Sequence, residues 1–216
     1  TRATVQDGYL DTYAYAPFSN SSKVVSLSEP STYKIEDNLP IIDGATALYP
    51  IYSAFANAVY PEKEYDQYDS EVMSNRTDGA YDNLIRGKVD MIFALSPSES
   101  QLSRAKYQNR ELKLTPIGKE AFVFFVNAKN PVKGLTTDEV KGIYSGEITN
   151  WKEVGGKDKP IRAFQRPEDS GRHTALQQFM GDVPIMDPPV EDIASLMGTI
   201  LDQVSDYENY NNAMGY

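Results

Sequence analysis

The sequence predicts an α/β protein made of two units that join near residues 118 to 121. Three observations carry this. A short apolar run, a polar turn and an amphipathic helical pattern follow one another at 39–59, at 68–85 and again at 161–180. Another apolar run, 89–95, follows the second helix, so the order becomes strand, helix, strand, which implies a parallel sheet with ligand-binding groups at the C-terminal ends of its strands. Finally, 216 residues with 40% hydrophobic and 24% charged content are enough to bury a core.

Taken in order, residues 1–37 are rich in Tyr, Ser and charge without periodicity and read as an extended N-terminal arm. Residues 38–118 then form the first unit. Leu39 to Ile42 is a strand, Asp43-Gly44-Ala45-Thr46 a turn, and Leu48, Ile51, Tyr52, Phe55 and Val59 recur at helical spacing. Pro50 falls in the opening turn, where a missing N–H costs least, and the helix stops near Pro61. A strand over Tyr68 to Met73 leads through Ser74-Asn75-Arg76-Thr77-Asp78-Gly79 to a helix with Tyr81, Leu84 and Ile85 inward and Gly87 at its end. Val89 to Leu95 reads as a buried strand ending at Ser96-Pro97-Ser98.

Residues 119–216 form the second unit. Ala121 to Asn127 is apolar and aromatic enough for a central strand, and Thr136 with Glu139 makes a capping box for a helix through Val140, Ile143 and Tyr144 that ends at Gly146. Trp151 and the Gly155-Gly156 turn lead to a strand over Ile161 to Phe164 and to a helix beginning near Ser170. Val190, Ile193, Ala194, Met197, Ile200, Leu201 and Val204 form a last amphipathic face.

Composition removes several function classes. A net charge of −10 and a pI near 4.6 argue against a nucleic-acid partner, since phosphate backbones are held by basic surfaces. Without cysteine there is no disulfide framework, thiol nucleophile or thiolate metal site. No run approaches the about 18 to 20 apolar residues of a membrane span. The first residue is Thr1 and not Met, so an export signal is expected to have been removed from view. Asn20-Ser21-Ser22 and Asn75-Arg76-Thr77 match the glycosylation triplet, which arises often by chance. No nucleophile elbow, phosphate-binding lysine motif or metal-ligand spacing is present, and no cofactor or metal is expected. The single histidine, His173, reads as a partly exposed helix side chain.

The most informative segment is Gln165-Arg166-Pro167-Glu168-Asp169-Ser170-Gly171-Arg172-His173-Thr174. A helix start offers unpaired N–H groups and the positive end of a dipole, and both favour an anion. An arginine four residues upstream, a hydroxyl and a glycine complete what an oxyanion pocket needs. Taken alone, the segment is also an ordinary Ser N-cap beside a surface arginine. Three such turns, at Thr46, Thr77 and Ser170, open helices, and they read either as three N-caps or as one set of converging donors.

Four stretches resemble one family: Asp43-Gly44-Ala45-Thr46-Ala47-Leu48-Tyr49-Pro50, Gly87-Lys88-Val89-Asp90-Met91-Ile92-Phe93-Ala94, Ile143-Tyr144-Ser145-Gly146-Glu147-Ile148-Thr149-Asn150-Trp151, and the Arg166 to Gly171 turn. Over roughly 39–216 the chain is similar to the phosphate-type substrate-binding proteins of ABC importers. The resemblance implies a two-lobed periplasmic-binding-protein-like α/β fold, with a mainly parallel sheet flanked by helices in each lobe. It also implies a ligand held by Thr46 and Ala47, by Thr77, and by Arg166, Glu168, Ser170 and Gly171. Ser96 stands where the family usually has an aspartate that reads the proton on phosphate, which opens the selectivity against sulfate. Arg172 stands where the family usually has threonine, and either adds charge to the pocket or points outward.

The fold normally returns to its first lobe through a strand beginning about where Asn212 to Tyr216 lie, so the chain is expected to stop at the hinge with the first-lobe sheet lacking a strand or borrowing one. The resemblance implies a monomeric, non-enzymatic extracytoplasmic protein, periplasmic or a cell-surface lipoprotein. It would capture a small oxyanion, inorganic phosphate first, between its lobes and deliver it to an ABC importer permease. The alternatives are a sensor or adhesion relative that binds another anion or none, and an enzyme built on the same anion pocket.

Overall fold

Parallel pairing of two apolar runs organises the first half of the chain. In the computed structural model, which describes residues 10–166, 171–187 and 211–216, strand β1 (Ile42–Gly44) pairs in parallel with β2 (Met91–Phe93), Ile42 opposite Met91 and Gly44 opposite Phe93. Between them lie helices α1 (Tyr49–Val59) and α2 (Arg76–Ile85), and α3 (Glu99–Tyr107) follows. The strand–helix–strand order and the parallel pairing are those expected from the sequence. β1 begins later than the expected 39–42. The expected strand at 68–73 shrinks to a bridge from Val72 to Ile42, flanked by hydrogen bonds from Ile42 N–H to Glu71 O and from Met73 N–H to Ile42 O, both 2.8 Å. Tyr68, at its expected start, is exposed. Nor is β2 fully buried, because Met91 is 44% exposed.

Helix α1 carries Pro50 in its first turn, as expected, but its buried face is Tyr49, Tyr52, Ser53 and Ala56. Ile51 and Phe55, taken from the sequence as part of the apolar stripe, are 45% and 49% exposed. The face is turned because Tyr52 stacks on Phe93 with ring centroids 5.2 Å apart, Tyr49 meets it edge-on, and the Tyr52 hydroxyl donates to Met73 O at 2.9 Å. An amphipathic tyrosine can cover a core and satisfy its hydroxyl at the same time, which a hydrophobicity count overlooks. In α2, Ala80, Tyr81 and Ile85 are buried, while Leu84 is only half-buried. The helix ends before Gly87, whose φ is +71°.

The chain divides into two compact units, Leu10–Thr115 and Pro116–Tyr216. The second has a three-stranded sheet ordered β3 (Phe125–Val126), β5 (Ala213–Gly215), β4 (Arg162–Ala163), with β5 antiparallel to β3 and parallel to β4. The stretch expected to be a central strand, 121–127, thus supplies a two-residue edge. The middle position belongs to 213–215, the stretch expected to begin a return to the first unit. All three residues of β5 are buried, and Trp151 Nε1 donates to Asn212 O at 2.7 Å beside them. Helix α4 (Thr137–Ser145) has the expected capping box and stops at Gly146, φ +84°, where a side chain would be strained. Helix α5 is Gly171–Met180. Val140, Ile143, Tyr144, Trp151, Leu176, Met180, Met214 and Tyr216 form the core between these helices and the sheet. The expected face at 190–204 lies outside the described residues.

Candidate functional site

Strand β1 in the first unit delivers the chain to Thr46 through a constrained turn. Gly44 is there because a Cβ would lie 2.5 Å from Phe93 O and 2.8 Å from the Tyr52 ring. Ala45 N–H donates to Phe93 O at 2.8 Å, and Thr46–Leu48 make a 3₁₀ turn that runs into α1. Thr46 is half-buried and Ala47 exposed in that turn. Thr77 is the second residue of α2 and is half-buried. Ser96 is exposed in the link from β2 to α3.

These helix starts differ from three others. Ser98 and Gln101 on α3, Thr136 and Glu139 on α4, and Asn150 and Glu153 on the turn at Trp151–Val154 each form a complete capping box. At Thr46 the N-cap residue is Ala45, and at α2 it is Asn75; neither makes a side-chain cap. The reading of Thr46 and Thr77 as ordinary N-caps therefore fails, because the first N–H groups of these turns have no side-chain acceptor. They remain available to an outside one.

Sequence reasoning missed the residue that ties these two starts together. Asp43, fully buried at 0% exposure, accepts from Gly44 N–H at 2.7 Å, Asn75 N–H at 2.8 Å, Asn75 Nδ2 at 2.9 Å and Asn83 Nδ2 at 2.9 Å. Its position inside an apolar run ending at a glycine was the available signal. The Asn75 side chain is thereby committed to an internal bond, so the triplet at 75–77 is occupied structurally.

The second unit places Arg166 just after β4, half-buried, with its N–H donating to the Tyr216 hydroxyl at 3.1 Å. Its Nε and Nη1 are buried and meet no hydrogen-bond acceptor among the described residues. Burial lowers the guanidinium pKa, the nearby Tyr216 partly offsets this, and Arg172 lowers it further. Gly171 opens α5 and is buried. Arg172 pairs with Glu120 at 3.0 Å, so part of its charge is answered inside its own unit. Glu168 and Ser170 lie outside the described residues. His173 is not a partly exposed side chain: it is 9% exposed, its Nδ1 3.5 Å from the Tyr216 hydroxyl. The Tyr216 ring it faces packs against Phe122, Phe124 and Tyr144.

What these parts can do chemically is bind. The first unit presents N–H groups at two helix starts without a side-chain cap, and the second a desolvated cation. Among the described residues no group of His, Asp and Glu could hold a metal ion. Known proteins share this framework. Residues 37–216 match the family model described as a PBP superfamily domain. The chain is 28% identical over 144 residues to the phosphate-binding protein PstS of Bacillus subtilis, a match covering 65% of this chain and 45% of that protein. It is 27% identical to protein SphX of Synechococcus elongatus, covering 61% and 40%. The chain thus spans less than half the length of these relatives. Among solved structures, it superposes with a TM-score of 0.56 and 25% identity on a chain described as a phosphate ABC transporter substrate-binding protein with bound phosphate, from Clostridium perfringens. That match covers 85% of this chain and 69% of the other. With a two-unit α/β architecture and a family match over most of its length, the chain belongs to the PBP superfamily.

Proposed function

We propose that this chain is part of an extracytoplasmic solute-binding protein that captures a small oxyanion, inorganic phosphate, for an ABC importer. The observation that carries this reading is Arg166. Two of its N–H groups are buried without an acceptor among the described residues, and its charge is disfavoured by burial. An unanswered buried cation is costly, and an anion that supplied the missing acceptors would recover that cost on binding. The uncapped starts at Thr46 and Thr77 support the same ligand class, as do the phosphate named for the Clostridium perfringens structure and the name of the Bacillus subtilis relative.

The donors are Thr46, Ala47 and Thr77 on the first unit and Arg166, Ser170 and Gly171 on the second, with Glu168 as the acceptor for a phosphate proton. Ser96 stands at the selectivity position, and Arg172 adds the part of its charge that its pair with Glu120 leaves unanswered. Binding of this kind makes and breaks no covalent bond, and a ligand that prefers one arrangement of the units stabilises it by its differential affinity. The protein acts as a monomer outside the cytoplasm. No helix among the described residues is long and apolar enough to cross a membrane.

Isothermal titration of ligand-stripped protein with phosphate and then sulfate tests the reading. Saturable one-to-one phosphate binding is the expected result, and no heat with any oxyanion overturns it.

A further inference from the structure

A phenylalanine would fill the core position of Tyr216 as well as a tyrosine does. The residue is 1% exposed, its ring packs against Phe122, Phe124 and Tyr144, and a hydroxyl taken into such a place is costly unless it is hydrogen-bonded. The hydroxyl is held there by its bonds, not by packing. Strand β4 and its continuation donate to the β5 side at every second residue: Arg162 N–H to Asn212 O at 3.1 Å, then Phe164 N–H to Met214 O at 2.9 Å. The next N–H in that series belongs to Arg166, and the Tyr216 hydroxyl accepts it at 3.1 Å. A side-chain oxygen at the end of a long ring thus stands in for the next backbone carbonyl, so the chain leaves the sheet at Arg166 and stays tied to it. The residue before is fixed as well, since Gln165 is 3% exposed and its Nε2 donates to Met186 O at 2.8 Å. On its other side the Tyr216 hydroxyl lies 3.5 Å from Nδ1 of His173, in the first turn of α5. The backbone leading to Arg166 is therefore anchored, while its Nε and Nη1 are buried and meet no acceptor among the described residues.

We propose that Tyr216 is a positioning residue: by accepting the Arg166 N–H it fixes the point from which the guanidinium reaches the anion. This rests on the oxyanion reading above and deepens it, since it assigns the placement of the cation to a residue 50 positions along the chain. An arginine side chain has many rotamers, and a donor whose base is held before the ligand arrives loses less freedom on binding. A hydroxyl that only satisfied the end of a sheet would stabilise the fold without acting on affinity through Arg166.

Tyr216→Phe keeps the ring and removes the oxygen. Amide hydrogen exchange on the ligand-free chain, read by NMR, tests the tie. The Arg166 N–H is expected to exchange about fivefold faster, the worth of one hydrogen bond, while the Phe164 N–H, held by Met214 O, keeps its rate. An unchanged rate at Arg166 overturns the proposal, and so does equal acceleration at both sites, which is a general loosening of the sheet.

Calorimetric titration with inorganic phosphate supplies the second readout. Tyr216→Phe is expected to weaken binding about five- to tenfold in the parent and to leave it unchanged in an Arg166→Ala background, because a residue that acts through the arginine then has nothing left to position. The same loss in both backgrounds marks a purely structural role and overturns the proposal, as does full affinity in the single variant. If the parent binds no phosphate while the exchange responses hold, the oxyanion reading fails and the tie of Arg166 to Tyr216 stands.

Discussion

Replacing Arg166 by alanine should separate affinity from stability. In the ligand-free protein the guanidinium is half-buried, two of its N–H groups have no acceptor among the described residues, and desolvation lowers its pKa. Removing it takes away a desolvation cost that no acceptor at these two groups offsets among the described residues, so Arg166→Ala should leave the ligand-free melting temperature unchanged or slightly raised. With phosphate bound, the two N–H groups would each make a charge-assisted hydrogen bond worth about 1.5 to 3 kcal/mol. Discounting for the part of the side chain that water still screens, the loss should be about 2 to 5 kcal/mol, or roughly 30-fold or more in affinity. Calorimetric titration with phosphate measures the second quantity and a thermal melt of the stripped protein the first. A variant that binds phosphate as tightly as the parent refutes the clamp. A variant that loses binding only because it has melted refutes the cost argument.

Three further outcomes are expected. Ser96→Asp should sharpen the preference for phosphate over sulfate, because a carboxylate accepts the proton of hydrogen phosphate and repels a fully ionised anion; equal competition by sulfate before and after the change would count against that role. Gly44→Ala places a Cβ against Phe93 O and the Tyr52 ring and should destabilise the first unit by about 1 to 3 kcal/mol, seen as a lower urea midpoint. Alkaline stability follows from the buried tyrosines: burial pushes Tyr60, Tyr81 and Tyr216 up to about 12 from 10.0. The unfolded chain therefore loses these protons first, and the stability they contribute is intact below about pH 10 and lost between pH 10 and 12. Tyr216→Phe should flatten that part of the curve, and a denaturant midpoint independent of pH in this window would show the linkage absent.

Local rules carried much of the architecture. The capping box at Thr136 and Glu139, the glycine stops at 87 and 146 and Pro50 in the first turn of α1 are each set by residues close in sequence, and each is found where the sequence placed it. The strand–helix–strand order sufficed to give a parallel sheet in the first unit, because that connection leaves few alternatives. In the 165–174 segment the sequence places an arginine, a glycine and a helical stretch close together, and the described residues show Arg166 half-buried and Gly171 in α5.

Tertiary structure decided what depends on partners far along the chain. Which run becomes a middle strand was settled by β5 at 213–215, whose neighbours come from residues 125–126 and 162–163. The rotation of α1 was fixed by Phe93 and Met73, not by its own stripe. His173 was drawn inside by Tyr216, 43 residues away. The Asn75 side chain is taken by Asp43, 32 residues earlier. A sequence names a good N-cap by its type. Only the folded chain shows that a buried carboxylate has already taken its side chain, because competition for one hydrogen-bonding group is settled by whichever partner the fold brings within reach.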